Sequence, residues 1–189
     1  MGILSRFLEK PTEEHWNAAM RVLRYLNGTR DYGLEFHRNE DFELLCYSDS
    51  DWAGDPSTGR SVGEYAIYLG KNLINWKSKR QKSTQTSTTT AEIEALYHGV
   101  IEGVWTKVLL EELKWKNKKH IQWLQDNQSV IKILKSEKNM EKTRHILVKI
   151  CYLRELIEVN NMEVVYVCSE ENIADVFTKA LGKADFEKH

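Results

Sequence analysis

The order of apolar and polar residues predicts a helix and a strand near the start of the chain. In residues 11–28 apolar side chains recur at helical spacing, with Thr12 as an N-cap and Gly28 as a suitable end. Residues 32–37 (YGLEFH) then alternate between apolar and polar, as a half-buried strand does. Because a polar link follows, we place a soft domain boundary near residue 40.

Beyond residue 40 the pattern changes to three short strands in succession, followed by helices and strands in alternation. The predicted strands are FELLCYS (42–48), VGEYAIYLG (62–70), NLINW (72–76), HIQWLQ (120–125) and MEVVYVCS (162–169). The predicted helices are 88–115, 127–137, 141–159 and 172–181. This order predicts an α/β domain with one mixed sheet, a three-strand antiparallel meander first, flanked by helices.

Composition limits the classes of function. The 189 residues carry 27 Lys+Arg against 28 Asp+Glu, so any nucleic-acid binding must come from local basic patches. No run of about 18 apolar residues occurs, and we expect a soluble protein that spans no membrane. The start shows no signal-peptide core. Three widely spaced cysteines fit reduced core thiols, which indicates a reducing compartment, cytoplasmic or nuclear.

An acidic stretch, SDSDWAGD (48–55), follows the first buried strand. Asp49 would therefore lie at the rim of the sheet, where open α/β sheets hold ligands. Asp51 and Asp55 are better explained as turn residues, and turn formation is also an adequate explanation of Asp49 alone. An EF-hand calcium loop is disfavoured, because Arg60 occupies the position where that loop needs a bidentate Glu.

Glu92 shares a helix face with small and apolar residues, Ala95 and Gly99 among them, that allow close packing. A carboxylate buried on that face needs a cation or a metal ion. The alternative is an acid of the first turns that the helix dipole favours. Glu94 projects to nearly the opposite side, where we expect it to be solvated.

Two further acids lie at the ends of predicted elements. Asp126 closes a strand and opens a helix, so an N-cap role alone would explain it. Asp175 lies in the first turns of the last helix, where it would otherwise be a surface acid. With Asp49 and Glu92 they place four carboxylates on one rim of the sheet. Oxygen ligands of this kind suit a pair of Mg²⁺ ions that promote phosphodiester hydrolysis.

Several motifs, in this order, resemble the ribonuclease H domain of copia-type (Pseudoviridae-like) retrotransposon polyproteins. They are SDSDWAGD, GKNLINWKSKRQKSTQTSTTTAEIEAL, LQDNQS, KTRHI and NIADVFTKAL, and the resemblance covers roughly residues 42–189. Residues 11–36 are similar to the segment that joins reverse transcriptase to ribonuclease H in those polyproteins. We therefore interpret residues 1–40 as a connection segment and residues 41–189 as a ribonuclease H-like domain.

The resemblance implies a five-stranded mixed sheet and a nuclease that hydrolyses the RNA strand of RNA–DNA hybrids. The metal-binding acids of the family fall on Asp49, Glu92, Asp126 and Asp175, with two Mg²⁺ or Mn²⁺ ions as cofactors. Asp49 and Asp175 would bind one ion, and Asp49, Glu92 and Asp126 the other. A reverse transcriptase domain, in cis or in trans, is the implied partner. As part of a polyprotein the chain would reside in a virus-like particle.

The sequence departs from the family pattern at three places. The loop SEEN (169–172) has no histidine, although cellular relatives often carry one there. Leu147 follows the HI of KTRHI where copia-type chains usually have Asp, and SVGE (61–64) replaces the usual STSG-like segment. No role can be transferred to His145. These departures affect the expected activity or a substrate contact more than the expected fold.

We expect nucleic-acid contacts beside the four acids. The residues are Lys77, Lys79, Arg80, Lys82, Ser83 and Thr84, whose cations and hydroxyls suit phosphates, and Asn127 and Gln128, which are placed to read a 2′-OH. For any single lysine, a solvated loop is the simpler explanation. Two other functions stay open: a DNA-processing nuclease on the same fold, and a non-catalytic remnant or domesticated module that binds nucleic acid.

Overall fold

The computed structural model describes residues 4–38, 43–115, 121–136 and 146–177. The chain divides into two compact units, Met1–Glu35 and Phe36–His189. The first unit contains a 3₁₀ helix, Leu4–Phe7, and helix α1, Glu13–Gly28, whose residues are all at least partly exposed. Thr12 caps α1 as predicted, and its backbone N–H donates to Nδ1 of His15 at 3.0 Å.

The strand predicted at residues 32–37 is wrong, because residues 32–38 have no regular secondary structure. The end of this segment is held by a side chain instead of a neighbouring strand. The backbone N–H of His37 donates to Oδ1 of Asn72 at 2.6 Å, and Nδ2 of Asn72 donates to the His37 carbonyl at 3.0 Å. Alternating apolar residues form a strand only where a partner supplies the ladder of hydrogen bonds.

The second unit is built on the predicted mixed sheet. Its strands are β1 (Leu44–Asp55), β2 (Arg60–Leu69), β3 (Asn72–Arg80), β4 (Ile121–Gln125) and β5 (Met162–Tyr166), in the order β3-β2-β1-β4-β5. The three strands β1 to β3 pair antiparallel, whereas β4 and β5 join in parallel. The prediction of an antiparallel meander followed by parallel strands is therefore confirmed.

Strand β1 continues seven residues beyond its predicted end at Ser48. The pairs Asp49↔Glu64 and Asp51↔Val62 extend the ladder with β2 into the acidic stretch. A bulge between Asp51 and Asp55 then shifts the register, and Ala53 adopts φ of 55° within it. Asp49 and Asp51 thus lie inside a strand, not after one, because backbone pairing needs no apolar side chains.

The turn role predicted for Asp55 is confirmed. Its carboxylate accepts hydrogen bonds from the hydroxyls of Ser57 and Thr58 at 2.6 and 2.7 Å, and from Nη1 of Arg80 at 2.7 Å. The three donors together lower the pKa of Asp55 far below its usual range, with the Ser57 hydroxyl as the largest contribution. The carboxylate therefore holds the β1–β2 turn to strand β3.

Helix α2 (Thr88–Glu112) packs on the sheet through the small residues identified in the sequence. A Cβ atom added to Gly99 would lie 2.7 Å from the ring of Trp123, and one added to Gly103 would lie 3.0 Å from it. Trp123 is fully buried in the core beside Leu96. Glycine at these two positions therefore allows the helix to approach the indole of β4 closely.

Glu94 is buried, contrary to the prediction that it is solvated. It accepts a hydrogen bond from Nζ of Lys149 on helix α4 (Leu147–Val159), and its other oxygen lies 3.4 Å from Nε2 of His98. These partners, His98 first, lower the pKa of Glu94 to about 2. Helix α2 contacts the sheet on one side and α4 on another, so both faces are covered.

The described part of the second unit also contains helix α3 (Gln128–Lys135) and two 3₁₀ helices, Ser169–Glu171 and Ile173–Phe177. The predicted last helix is thus a 3₁₀ turn at 173–177, and its remainder lies outside the described residues. All three cysteines are free thiols; Cys46 is in the core, but Cys151 is exposed. Among the described residues, no helix has both the length and the apolar character needed to cross a bilayer.

Candidate metal centre

Three carboxylates meet at one end of the sheet. Asp49 comes from the middle of β1, Glu92 from the second turn of α2 and Asp126 from the residue after β4. One oxygen of each lies within 4.8 Å of those of the other two. Asp49 and Glu92 are each only 6% exposed, whereas Asp126 is half-buried. Carboxylates from three separate elements thus converge on a space of the size that one ion occupies.

Hydrogen bonds from neighbouring residues orient Glu92 and Asp126. The backbone N–H and the hydroxyl of Ser50 both donate to Oε1 of Glu92, at 3.2 and 2.9 Å, and Nε2 of Gln125 lies 3.4 Å from Oε2. The hydroxyl of Ser169 donates to Oδ2 of Asp126 at 2.8 Å. Both oxygens of Glu92 and one oxygen of Asp126 therefore have a polar donor from another element.

Burial and mutual repulsion make this group electrostatically unfavourable as three anions. Burial, with the charges of Asp49 and Asp126 added, raises the pKa of Glu92 to about 8, against the lowering effect of the hydrogen bonds from Ser50 and Gln125. Either a proton on Glu92 or a bound cation relieves the repulsion. Since hard divalent cations such as Mg²⁺ take carboxylate oxygens as ligands, the donor set fits such an ion.

Asp175, the fourth predicted acid, is not in this group of three. It lies half-buried in the 3₁₀ helix Ile173–Phe177, which contacts β1 and β2. Asn172 anchors this segment, because its fully buried Nδ2 donates to the carbonyl of Ser48 at 3.1 Å. The 3₁₀ helix is thereby attached to the residue that precedes Asp49. The role of Asp175 as a metal ligand stays a prediction.

The predicted phosphate-binding residues lie on β3 and in the loop that follows it. Lys77 and Lys79 are exposed, and Nζ of Lys77 lies 5.9 Å from the ring centroid of Tyr65. Both lysines line a cavity of about 170 Å³ that also includes Lys82 and His98. Arg80 differs from them, because its guanidinium pairs with Asp55 at 2.7 Å. Arg80 therefore stabilises the β1–β2 turn through Asp55.

The remaining predicted contacts are distributed between two loops. Ser83 and Thr84 are exposed, and the Ser83 hydroxyl accepts from Nε2 of Gln85 at 3.2 Å. Asn127 is the N-cap of α3, where its Oδ1 accepts from the backbone N–H of Ser129 at 3.0 Å. The N-cap role considered for Asp126 is therefore wrong. Gln128 is exposed at the first position of the helix.

Sequence reasoning missed a fifth acid, Glu64, which is the cross-strand partner of Asp49 on β2. Its side chain is fully buried, and Oε1 accepts from the hydroxyl of Ser78 at 3.0 Å. Burial, with the charges of Asp49 and Asp51 added, raises the pKa of Glu64 to about 9. The signal in the sequence was an acid within an otherwise apolar predicted strand, VGEYAIYLG. The orienting residues Ser50, Gln125 and Asn172 carried no such signal.

Solved structures identify the class of fold. LC11-RNase H1 isolated from compost superposes with a TM-score of 0.56 at 18% identity, over 77% of this chain and 96% of that one. LC11-RNase H1 in complex with an RNA/DNA hybrid superposes with a TM-score of 0.51 at 17% identity, over 70% and 91%. The chain therefore has a ribonuclease H fold.

Sequence relatives identify the family. The chain is 36% identical over 187 residues to the retrovirus-related Pol polyprotein from transposon TNT 1-94 of Nicotiana tabacum. The alignment covers 99% of this chain and 14% of the polyprotein. It is 33% identical over 195 residues to the transposon Ty1-LR2 Gag-Pol polyprotein of Saccharomyces cerevisiae, covering 99% and 11%. Over nearly its whole length the chain is homologous to the ribonuclease H-like segment of copia/Ty1 retrotransposon Pol polyproteins, and it spans 14% or less of these relatives. No protein-family model matches the sequence.

Proposed function

We propose that this chain is a metal-dependent endonuclease that hydrolyses the RNA strand of RNA–DNA hybrids. The observation that carries the proposal is the meeting of Asp49, Glu92 and Asp126 from three elements within 4.8 Å. Only the fold brings these residues together, since 43 and 34 positions of sequence separate them. Membership in a retrotransposon Pol family and the ribonuclease H fold support the same reaction.

The carboxylates would hold the divalent cations, Mg²⁺ or Mn²⁺, in two sites. Asp49, Glu92 and Asp126 would bind one ion, and Asp49 with Asp175 the other. When bound, such ions supply positive charge that acidifies a water and stabilises the departing 3′ oxygen. The protein residues hold the geometry: Ser50 and Gln125 orient Glu92, and Ser169 orients Asp126.

The proposed substrate contacts use exposed cations of β3 and of the loop that leads to α2. Lys77, Lys79 and Lys82 line one cavity and would bind phosphates, with the hydroxyls of Ser83 and Thr84 beyond them. Asn127 and Gln128 would read the 2′-OH beside Asp126. Arg80 would contribute through the long-range field of its charge, since Asp55 already accepts its hydrogen bond.

A reverse transcriptase domain is the proposed partner, because the matched relatives are Pol polyproteins of which this chain spans 14% or less. Residues 1–40 would be the connection to that domain. Such a partner would supply much of the grip on the hybrid, which a chain with a net charge of -1 provides only locally.

The test is cleavage of a labelled RNA–DNA hybrid in the presence of Mg²⁺, with RNA–RNA and DNA–DNA duplexes of the same sequence in parallel. Wild-type protein is expected to cut the RNA of the hybrid, and Asp49→Asn to abolish the cut. Asp31→Asn, the same change at an exposed residue of the first unit, is the matched control and should leave the rate unchanged. Preferential cutting of DNA would favour a DNA-processing nuclease instead. Binding of the hybrid without cleavage would favour a non-catalytic module.

A further inference from the structure

Glu64 is a buried acid whose hydrogen bonding is incomplete. The residue has no exposed surface, and its Oε1 accepts a hydrogen bond from the Ser78 hydroxyl at 3.0 Å. Oε2 is buried and has no hydrogen-bond partner among the described residues. Buried carboxyl oxygens are normally satisfied, because leaving one without a partner costs about 1 to 3 kcal/mol.

The position of Glu64 links it to the candidate metal centre. Glu64 and Asp49 are directly opposite each other on β2 and β1, so their side chains project from the same face of the sheet. The negative charges of Asp49, Asp51 and Glu92 all act on the Glu64 carboxyl. An additional acid at this point increases the repulsion that a cation would relieve.

Glu64 also lies close to the 3₁₀ helix that carries Asp175. The 3₁₀ helix that carries Asp175 contacts β2. The hydroxyl of Ser78, which donates to Glu64, lies 3.4 Å from the carbonyl of Phe177 in the same 3₁₀ helix. Glu64 is absent from the group formed by Asp49, Glu92 and Asp126. An ion that Glu64 binds would therefore be a different ion from the one that these three carboxylates share.

We propose that Glu64 is a fifth carboxylate of the metal centre and helps Asp49 bind the cation on the side of Asp175. The inference rests on the proposed function, since it requires that the centre bind divalent cations. It assigns to this chain a ligand outside the four acids that the family resemblance indicated. A buried oxygen without a protein donor would then have the cation as its partner.

The experiment is titration of the full chain with Mn²⁺, measured by calorimetry and by the EPR signal of free Mn²⁺, without nucleic acid. Glu64→Gln is expected to remain folded and to weaken Mn²⁺ binding about tenfold or to lose one bound ion. Ser78→Ala keeps the carboxylate and removes one hydrogen bond to it, so it should keep the wild-type number of bound ions and bind Mn²⁺ more tightly than Glu64→Gln does. Glu163→Gln removes an exposed acid from β5 and should bind as wild type does.

Equal Mn²⁺ affinity and stoichiometry in wild type and Glu64→Gln would overturn the inference. If Glu64→Gln does not fold, Glu64→Asp provides the test. This variant keeps the charge but withdraws the carboxylate oxygens by one methylene. Wild-type Mn²⁺ affinity in Glu64→Asp would also overturn the inference. Loss of binding in Asp49→Asn with no change in Glu64→Gln would remove the role of Glu64 alone. No Mn²⁺ binding by wild type would overturn both this inference and the proposed function.

Discussion

Ser50 donates two hydrogen bonds to a single oxygen of Glu92, from its backbone N–H at 3.2 Å and from its hydroxyl at 2.9 Å. The two residues are 42 positions apart, and the bonds join strand β1 to helix α2. Ser50 is also the neighbour of Asp49 in the strand. One residue thereby sets the position of Glu92 relative to Asp49.

Replacing Ser50 by alanine should weaken metal binding without unfolding the protein. The hydroxyl favours the ionised form of Glu92, so its loss raises the Glu92 pKa further and leaves less carboxylate for a cation at pH 7. We expect a loss of affinity of about three- to tenfold in Mn²⁺ calorimetry, the effect of one hydrogen bond to a charged group. Ser129→Ala, an exposed serine of α3, is the control. An unchanged affinity in Ser50→Ala would contradict this role.

The free energy of unfolding of the metal-free protein should fall as the pH rises from 5 to 8. The pKa values of Glu92 and Glu64 are raised to about 8 and 9 in the folded state, against 4.5 as the reference for an unfolded chain. Both groups stabilise the fold fully below about pH 4.5, and this stabilisation is lost as the pH rises through the folded-state values. The slope is up to about 1.4 kcal/mol per pH unit for each group.

Urea denaturation in a chelator at several pH values measures this slope. Glu92→Gln should make the slope shallower by the contribution of Glu92, because the amide does not titrate, and the contribution of Glu64 should remain. Glu94 has the opposite shift, with a pKa lowered to about 2, so its contribution is present above about pH 4.5 and disappears only towards pH 2. It therefore stays constant between pH 5 and 8. A stability that rises across this range in the wild type, relative to Glu92→Gln, would contradict the prediction.

Replacing Arg80 by alanine should lower the melting temperature by several degrees, whereas Lys79→Ala should not. Arg80 donates to Asp55, which is 7% exposed and also holds the β1–β2 turn. Removing the guanidinium leaves a nearly buried carboxylate without its cation. Lys79 is exposed on the same strand, so its loss should act on nucleic-acid binding instead. Thermal melts and the salt dependence of hybrid binding separate the two effects, and equal melts would refute the distinction.

Gly99→Ala should destabilise the second unit by about 1 to 3 kcal/mol, the usual cost of overfilling a packed core. The added methyl group would lie 2.7 Å from the ring of Trp123, which is fully buried in the core. Gly28→Ala is the matched control, because nothing lies within 4 Å of its added Cβ. It should be neutral or slightly stabilising. Chemical denaturation of both variants measures the difference.

The order of strands and helices followed from the sequence because each core element carries its own apolar pattern. The incorrect predictions share one physical cause: the residues that pair or pack with an element are distant from it in the sequence. Residues 32–37 alternate like a strand but find no partner strand. Asp49 and Asp51 lack a strand pattern, yet β2 pairs with them through the backbone.

The candidate site could be predicted only in part for the same reason. Position at a predicted element end, or on a packed helix face for Glu92, identified Asp49, Glu92 and Asp126, and the structure brings their oxygens together. Glu94 was misplaced because the second covering layer, α4, arrives from 55 residues further along the chain. Glu64 was missed because its closeness to Asp49 depends on the register of the β1–β2 hairpin, which no single strand reveals.

The bulge between Asp51 and Asp55 separates the regular β1–β2 ladder from the turn at the tip of the hairpin. Below it, the register that aligns Asp49 with Glu64 is continuous with the rest of the sheet, and above it lies a short turn at Pro56–Gly59 that bonds mainly to Asp55. We expect insertions or deletions in that turn to leave the strand register below the bulge unchanged. The tip of the hairpin is therefore the place where homologues can differ in length, or a peptide epitope can be introduced, while the alignment of the acids is kept.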